Sequence, residues 1–303
     1  MRWLRGLPAG ALALAGAAVI AGCGGISTAS TNGISVVAAE NFWGSIATQI
    51  AGNEASVQSI ITNPAQDPHS YEPTANDARV LATSQLAIVN GVGYDPWAPK
   101  LLAANPDSSR IVLDVGKVFG LHDGDNPHRW YDPADVDTVA RTIATDLARL
   151  DPKHAGYYQR RLNTFDTAGL AQYHRLIAQI NSRYKNVPVG ASESIFALQA
   201  PALGLNLISP YSFMKANSEG TEVSAQDTIT AQDQITRHQI KVWIYNSQNA
   251  TPEIQQLNAL ARANHIPIAT ITETLTPATA TFEQWQVAQL ERIESALHQA
   301  TGR

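Results

Sequence analysis

Cysteine is all but missing from this 303-residue chain, since Cys23 is the only one. No disulfide can close within a chain that has one thiol, so its fold depends on a buried core. Charge is also sparse: 16% of the residues are charged and 44% are apolar, which supplies ample core material and excludes a disordered chain. No excess of basic residues is present, and the formal net charge is -5. Setting aside the first 22 residues removes Arg2 and Arg5 and leaves 19 basic against 26 acidic residues, a net -7. A chain of that sign has no basic patch for nucleic acid. The H-E-x-x-H and G-x-S-x-G signatures of metal-dependent and serine hydrolases are absent too. Gly91-Val92-Gly93 lacks the third glycine of a dinucleotide loop, and Asp95-Pro96 falls where its helix should open.

What is present begins with a basic start, Arg2 and Arg5, and an apolar run to Ile20. That run is too short to span a bilayer comfortably and reads as a secretory signal over residues 1–22. Small residues directly before Cys23 resemble the bacterial lipobox, which implies cleavage at Cys23 and its lipidation. The protein is then expected to be exported and lipid-anchored to the outer face of the cytoplasmic membrane. Residues 24–33, rich in Ser, Thr and Gly, read as a flexible tether.

From Ile34 onward, short β-branched runs alternate with helical spacing. Strands are expected at residues 34–39, 57–61, 86–89 and 110–113, and again at 187–190, 205–208, 242–245 and 266–272. Between these two sets, from Pro133 to about Ser182, helical periodicity is broken only by Pro152. The fold class predicted is α/β, with two Rossmann-like lobes of parallel sheet at residues 34–150 and 184–303. A spine helix over residues 151–183, about 45 Å long at 1.5 Å per residue, is expected to join them.

Two histidines stand directly after prolines, in Asp67-Pro68-His69-Ser70-Tyr71-Glu72-Pro73 and Asn126-Pro127-His128-Arg129-Trp130-Tyr131-Asp132-Pro133. Proline restricts its own φ and the residue before it, so each imidazole projects from a stiffened loop, as suits a metal ligand. Open α/β sheets bind ligands at the carboxyl ends of their strands. The loops there in the second half offer Glu193, after the strand at 187–190, and Glu273, after that at 266–272. Two imidazoles and two carboxylates converging between the lobes call for a divalent cation, because the carboxylates alone would repel.

These segments, with Glu40-Asn41-Phe42-Trp43-Gly44 and Asn90-Gly91-Val92-Gly93-Tyr94-Asp95-Pro96-Trp97, resemble the metal-binding lipoproteins of zinc and manganese ABC importers, the cluster A-I or cluster 9 solute-binding proteins. The resemblance runs along nearly the whole mature chain. It implies His69, His128, Glu193 and Glu273 as the ligands of one Zn2+ or Mn2+. Glu193 falls where family members have His or Glu, whereas Glu273 stands where they usually have Asp, a departure of one methylene. The carboxylate at the third position leans toward manganese. So does the brevity of His122-Asp123-Gly124-Asp125, where zinc importers carry a long histidine-rich loop. Zinc would also bind such a donor set well. The expected function is capture of the cation by a non-enzymatic, monomeric receptor and its delivery to an ABC permease. A metal-dependent hydrolase and a surface adhesin with a structural metal are the alternatives.

Overall fold

The computed structural model describes residues 33–303; the predicted signal, Cys23 and nearly all of the tether lie outside the described residues. β1 (Ile34–Glu40) runs between β2 (Ala55–Ile61) and β3 (Leu86–Val89), and β4 (Ile111–Asp114) lies outside β3, all parallel, in the order β2-β1-β3-β4. β1 and β3 are buried along nearly their whole length, which is why they read as continuous apolar runs rather than alternating ones. The helices α1 (Asn41–Ala51), α2 (Ala75–Ala82) and α3 (Trp97–Ala104) make the crossovers, and the short α4 (Val115–Val118) follows β4. α1 lies close on β2 because residue 44 is glycine: a Cβ there would stand 2.0 Å from Ser59 Oγ.

α5 (Pro133–Leu150) starts where the Asp132 carboxylate accepts the Ala134 N–H, with Pro133 in the first turn, and ends before Pro152. The single spine helix expected over 151–183 is not continuous. A short 3-10 turn leads into α6 (Ala155–Thr164), then a π turn at Phe165–Gly169, then α7 (Ala171–Tyr184). The π turn is marked by the Leu170 N–H donating to the Phe165 carbonyl at 2.8 Å. Its physical reason is the placement of Leu162, Phe165, Leu170 and Tyr173, all buried. The five-residue step from 165 to 170 overshoots one α turn, and the inserted residue returns the apolar face to the core.

The second sheet repeats the first: β5 (Pro188–Ala191) lies between β6 (Asn206–Leu207) and β7 (Val242–Asn246), and β8 (Ile268–Ile271) lies outside β7, again parallel and in the order β6-β5-β7-β8. The helices here are α8 (Tyr211–Ser218), α9 (Ala225–Thr236), α10 (Pro252–Ala263) and α11 (Phe282–Thr301). Ser224, Thr251 and Thr281 cap α9, α10 and α11 with their hydroxyl oxygens.

A single apolar cluster runs through both halves, from β1 and α1 through Trp130 and Tyr131 to β5, β7 and α11. Phe42 stacks on Trp130 with ring centroids 3.9 Å apart. The buried Tyr131 hydroxyl donates to the Thr272 carbonyl at 2.7 Å and pairs with Gln289 Oε1 at 2.9 Å, tying the end of β8 to the first half. Gly33–Arg303 is accordingly one compact unit. Among the described residues, no helix is long and apolar enough to cross a membrane.

Candidate metal centre

The loop after β2 turns at Pro68–Ser70, and Asp67 caps that turn. One Asp67 oxygen accepts the His69 N–H at 2.9 Å and the other accepts the Ser70 hydroxyl at 3.1 Å. The side chain before the proline therefore fixes the backbone from which His69 projects.

His128 is held by the matching device. Asn126 Oδ1 accepts the His128 N–H at 3.1 Å and meets the ring Nδ1 at 2.7 Å, while Asn126 Nδ2 donates to the Ser194 carbonyl at 2.7 Å. That last bond sets which way the amide faces. An amide oxygen only accepts, so the proton of the neutral ring sits on Nδ1, and Nε2 carries a bare lone pair. His128 is buried, and its Nε2 has no hydrogen-bond partner among the described residues. Asn90, at the end of β3, braces the same loop: its Nδ2 donates to the Pro127 carbonyl at 3.0 Å, and its Oδ1 accepts from Trp43 Nε1 at 3.0 Å.

Gly91-Val92-Gly93 is a tight left-handed turn, with φ of 72°, 58° and 72°. A Cβ at residue 91 would stand 2.5 Å from Asp114 Oδ1, so glycine serves close approach here and not a phosphate. The turn delivers the buried Tyr94, whose ring lies 4.7 Å from that of His69 and 6.0 Å from that of His128.

Glu273 leaves the end of β8 with its backbone held by one amide. Gln248 Oε1 accepts the N–H of Glu273 at 2.7 Å and of Thr274 at 2.9 Å. Glu273 Oε1 comes within 3.6 Å of His69 Nε2 and 3.4 Å of His128 Nε2. One ligand atom from each of His69, His128 and Glu273 lies within 4.8 Å of the other two. Glu193 is not part of this cluster. It follows β5, is buried, accepts from Asn246 Nδ2 at 3.1 Å through Oε2, and has an Oε1 without a partner.

The two carboxyls are driven in opposite directions. Burial pushes Glu193 up, the Glu273 charge adds to that, and its pKa rises to about 8. Burial also opposes ionisation of Glu273, but His128 and then His69 overcome it and lower its pKa. Burial lowers the pKa of His128, while at His69 the pull of Glu273 outweighs burial and raises it. An ionised Glu273 therefore faces two ring nitrogens, one of them a bare lone pair. This set of donors fits a divalent cation: the orphaned Nε2 atoms and the orphaned Glu193 oxygen each lack the positive partner that such an ion supplies.

Sequence reasoning passed over Asn126 and Asp67 as orienting groups, and over Asn246, Gln248 and Tyr94. The signal for Asn246 and Gln248 was available, since Asn246-Ser247-Gln248 follows β7 at a strand's carboxyl end, where ligand-side loops gather. Amide side chains are common in such loops for many reasons, so residue type alone carries no signal of an orienting role.

A family model described as "Zinc-uptake complex component A periplasmic" matches residues 36–296. The manganese-binding lipoprotein MntA of Halalkalibacterium halodurans is 26% identical over 216 residues, which are 68% of this chain and 70% of that protein. The metal ABC transporter substrate-binding lipoprotein SloC of Streptococcus mutans is 28% identical over 166 residues, 50% of this chain and 53% of that one. Among solved structures, the laminin-binding protein Lmb of Streptococcus agalactiae, described as bifunctional with adhesin and metal-transporting activity, superposes with a TM-score of 0.72 at 23% identity. That match covers 88% of this chain and all of the other. The Mn-bound S38A mutant of a periplasmic metal-binding protein from Candidatus Liberibacter asiaticus gives 0.73 at 19% identity, covering 86% and 98%. At these identities the structural likeness establishes the fold.

Proposed function

The chain belongs to the family of periplasmic zinc-uptake components of the ZnuA type, and on that footing we propose that it captures one Zn2+ or Mn2+ between its two sheets and delivers it to the permease of an ABC importer. One observation carries the reading: Nε2 of His69, Nε2 of His128 and an oxygen of Glu273 meet within 4.8 Å, with both nitrogens buried and unpartnered. Such a cluster leaves a carboxylate and a lone pair opposed until a cation separates them. Glu193 is the fourth ligand in this reading and joins when the ion displaces its proton. Four protein ligands around the ion favour a receptor over an enzyme, which would keep a position open for water.

The donor set, two imidazoles and two carboxylates, accepts either metal, and zinc competes well at any such site. Small residues before Cys23 support a lipid anchor there, with the lobes held outside the cytoplasmic membrane. Calorimetric titration of metal-stripped protein beginning at residue 24 tests the central reading: one Zn2+ or one Mn2+ binds per chain, and His69→Ala binds far more weakly. No binding by the unsubstituted chain would remove the reading, and unaltered binding by His69→Ala would remove that ligand. Co-purification of the anchored full chain with its permease tests delivery, and capture by extracellular-matrix proteins instead would favour the adhesin alternative.

A further inference from the structure

The end of α8 stands over the site. Lys215 and Glu219, one turn apart, form an ion pair, and Lys215 Nζ also donates to the Gly124 carbonyl at 2.8 Å. Gly124 lies on the loop that leads to His128, so one lysine from the second half holds down the ligand loop of the first.

Two cavities reach the site beside this contact. The wider, about 260 Å3, is lined by His69, His128, Tyr211 and Lys215 among others. The narrower, about 140 Å3, is lined by Asp67, Gln248 and Glu273, and no lysine or arginine is among its lining residues. His69, Ser218 and Glu219 line both. The smaller approach is therefore acidic, with Asp67 and Glu219 exposed and Glu273 buried along it. A cleft lined by one sign of charge concentrates the opposite ion.

We propose that Glu219 receives the incoming divalent cation and that Lys215 is the latch that holds Glu219 and ties the end of α8 to the Gly124 loop. The inference rests on the cation site proposed above. A cation entering the acidic cavity competes with the lysine for the Glu219 carboxylate. Lys215 then leaves Gly124 as well, which loosens the Gly124 turn while Asn126 and Asn90 keep His128 in place. When the ion passes to the imidazoles, Glu219 pairs again with Lys215, which returns to Gly124. A half-exposed ion pair suits this task because it is weak enough to break at each capture.

Stopped-flow measurement of Mn2+ and Zn2+ association and dissociation on the unsubstituted protein, Glu219→Gln and Lys215→Met tests the gate. Glu219→Gln slows association by about tenfold, the scale of electrostatic focusing. Lys215→Met speeds both association and dissociation, and Lys215→Arg restores the original rates. Both disabling substitutions break the same ion pair, so a role confined to the stability of α8 would move the rates in one direction. The dissociation effect of Lys215→Met persists at about 1 M salt, where the Debye length is about 3 Å and remote charges are screened. Association rates that move in the same direction in Glu219→Gln and Lys215→Met, or that do not move in either, overturn the gate and leave the cation site standing. An unsubstituted chain that takes up no cation overturns both.

Discussion

The imidazole half and the carboxylate half of this site are built on different principles. His69 and His128 are fixed by their own neighbours: Asp67 and Asn126 each stand two residues upstream, and each accepts the backbone N–H of its histidine. Glu193 and Glu273 are steered from far along the chain, by Asn246 and Gln248 from the end of β7. The local device sets geometry and tautomer, and it needs only a turn to form. The remote device operates once the second sheet is assembled, and it leaves the two carboxyls in different ionisation states. In the proposed reading the site therefore has one face set by local turns before the ion arrives and one face that completes itself by losing a proton to the ion.

The sharpest way to break this comparison is to remove one group from each face. His128→Ala is expected to weaken metal binding by more than about 100-fold, beyond the range seen for outer-shell partners. Glu193→Gln, which keeps shape and removes only the ionisable group, should cost less. Equal losses in calorimetric titration would mean that the carboxylate face is as fully formed as the imidazole face. The orienting groups come next. Asn126→Ala and Gln248→Ala are each expected to lower affinity by about 10- to 100-fold, as for other partners that aim a ligand. Asn126 should stand at the larger end because it also fixes the tautomer; the reverse order would sink the claim that the local device matters more.

Changing pH separates the two carboxyls. Glu193 has its pKa raised from 4.5 to about 8, so the metal-free folded state holds a proton that the unfolded chain releases. Its contribution to stability is present at low pH and declines as pH rises across that window. Glu273 is lowered, so its contribution is present above 4.5 and is lost as pH falls below that. Metal affinity runs against the Glu193 trend: it climbs toward pH 8 by up to about tenfold per unit where Glu193 alone releases a proton, more steeply below, where His69 must lose one too, and then levels. Chemical denaturation of the stripped protein and metal titration over the same pH range read these opposite slopes. If Glu193→Gln kept the slope in affinity, the proton would belong elsewhere. The smallest effect on binding belongs to Tyr131→Phe, which removes the hydrogen bond to the Thr272 carbonyl and should cost about 1–3 kcal/mol of stability with little change in affinity. A large loss of metal binding there would mean that the joint between halves, and not the local turns, sets the geometry of the site.

Much of this architecture is written in short-range pattern. The inner strands β1, β3, β5 and β7 are visible as apolar runs because burial on two faces demands such runs. α3 and α8 are not visible in that way: Trp97–Ala104 and Tyr211–Ser218 span only 8 residues each, and neither begins at a side-chain cap such as the Thr74 and Asp77 pair that marks the equally short α2. The π turn at Phe165–Gly169 is hidden for a related reason, since it answers to which side chains must reach the core and not to local propensity.

The same division runs through the site. Proline beside histidine, twice, is a local statement, and the sequence alone determined that two stiffened imidazoles are offered at loops after strands. That Glu273 meets both of them while Glu193 stands behind, protonated beside Asn246, was decided only by the tertiary structure. Separation, burial and the field of one carboxylate on another are properties of atoms brought together from distant parts of the chain, and no spacing along the sequence encodes them.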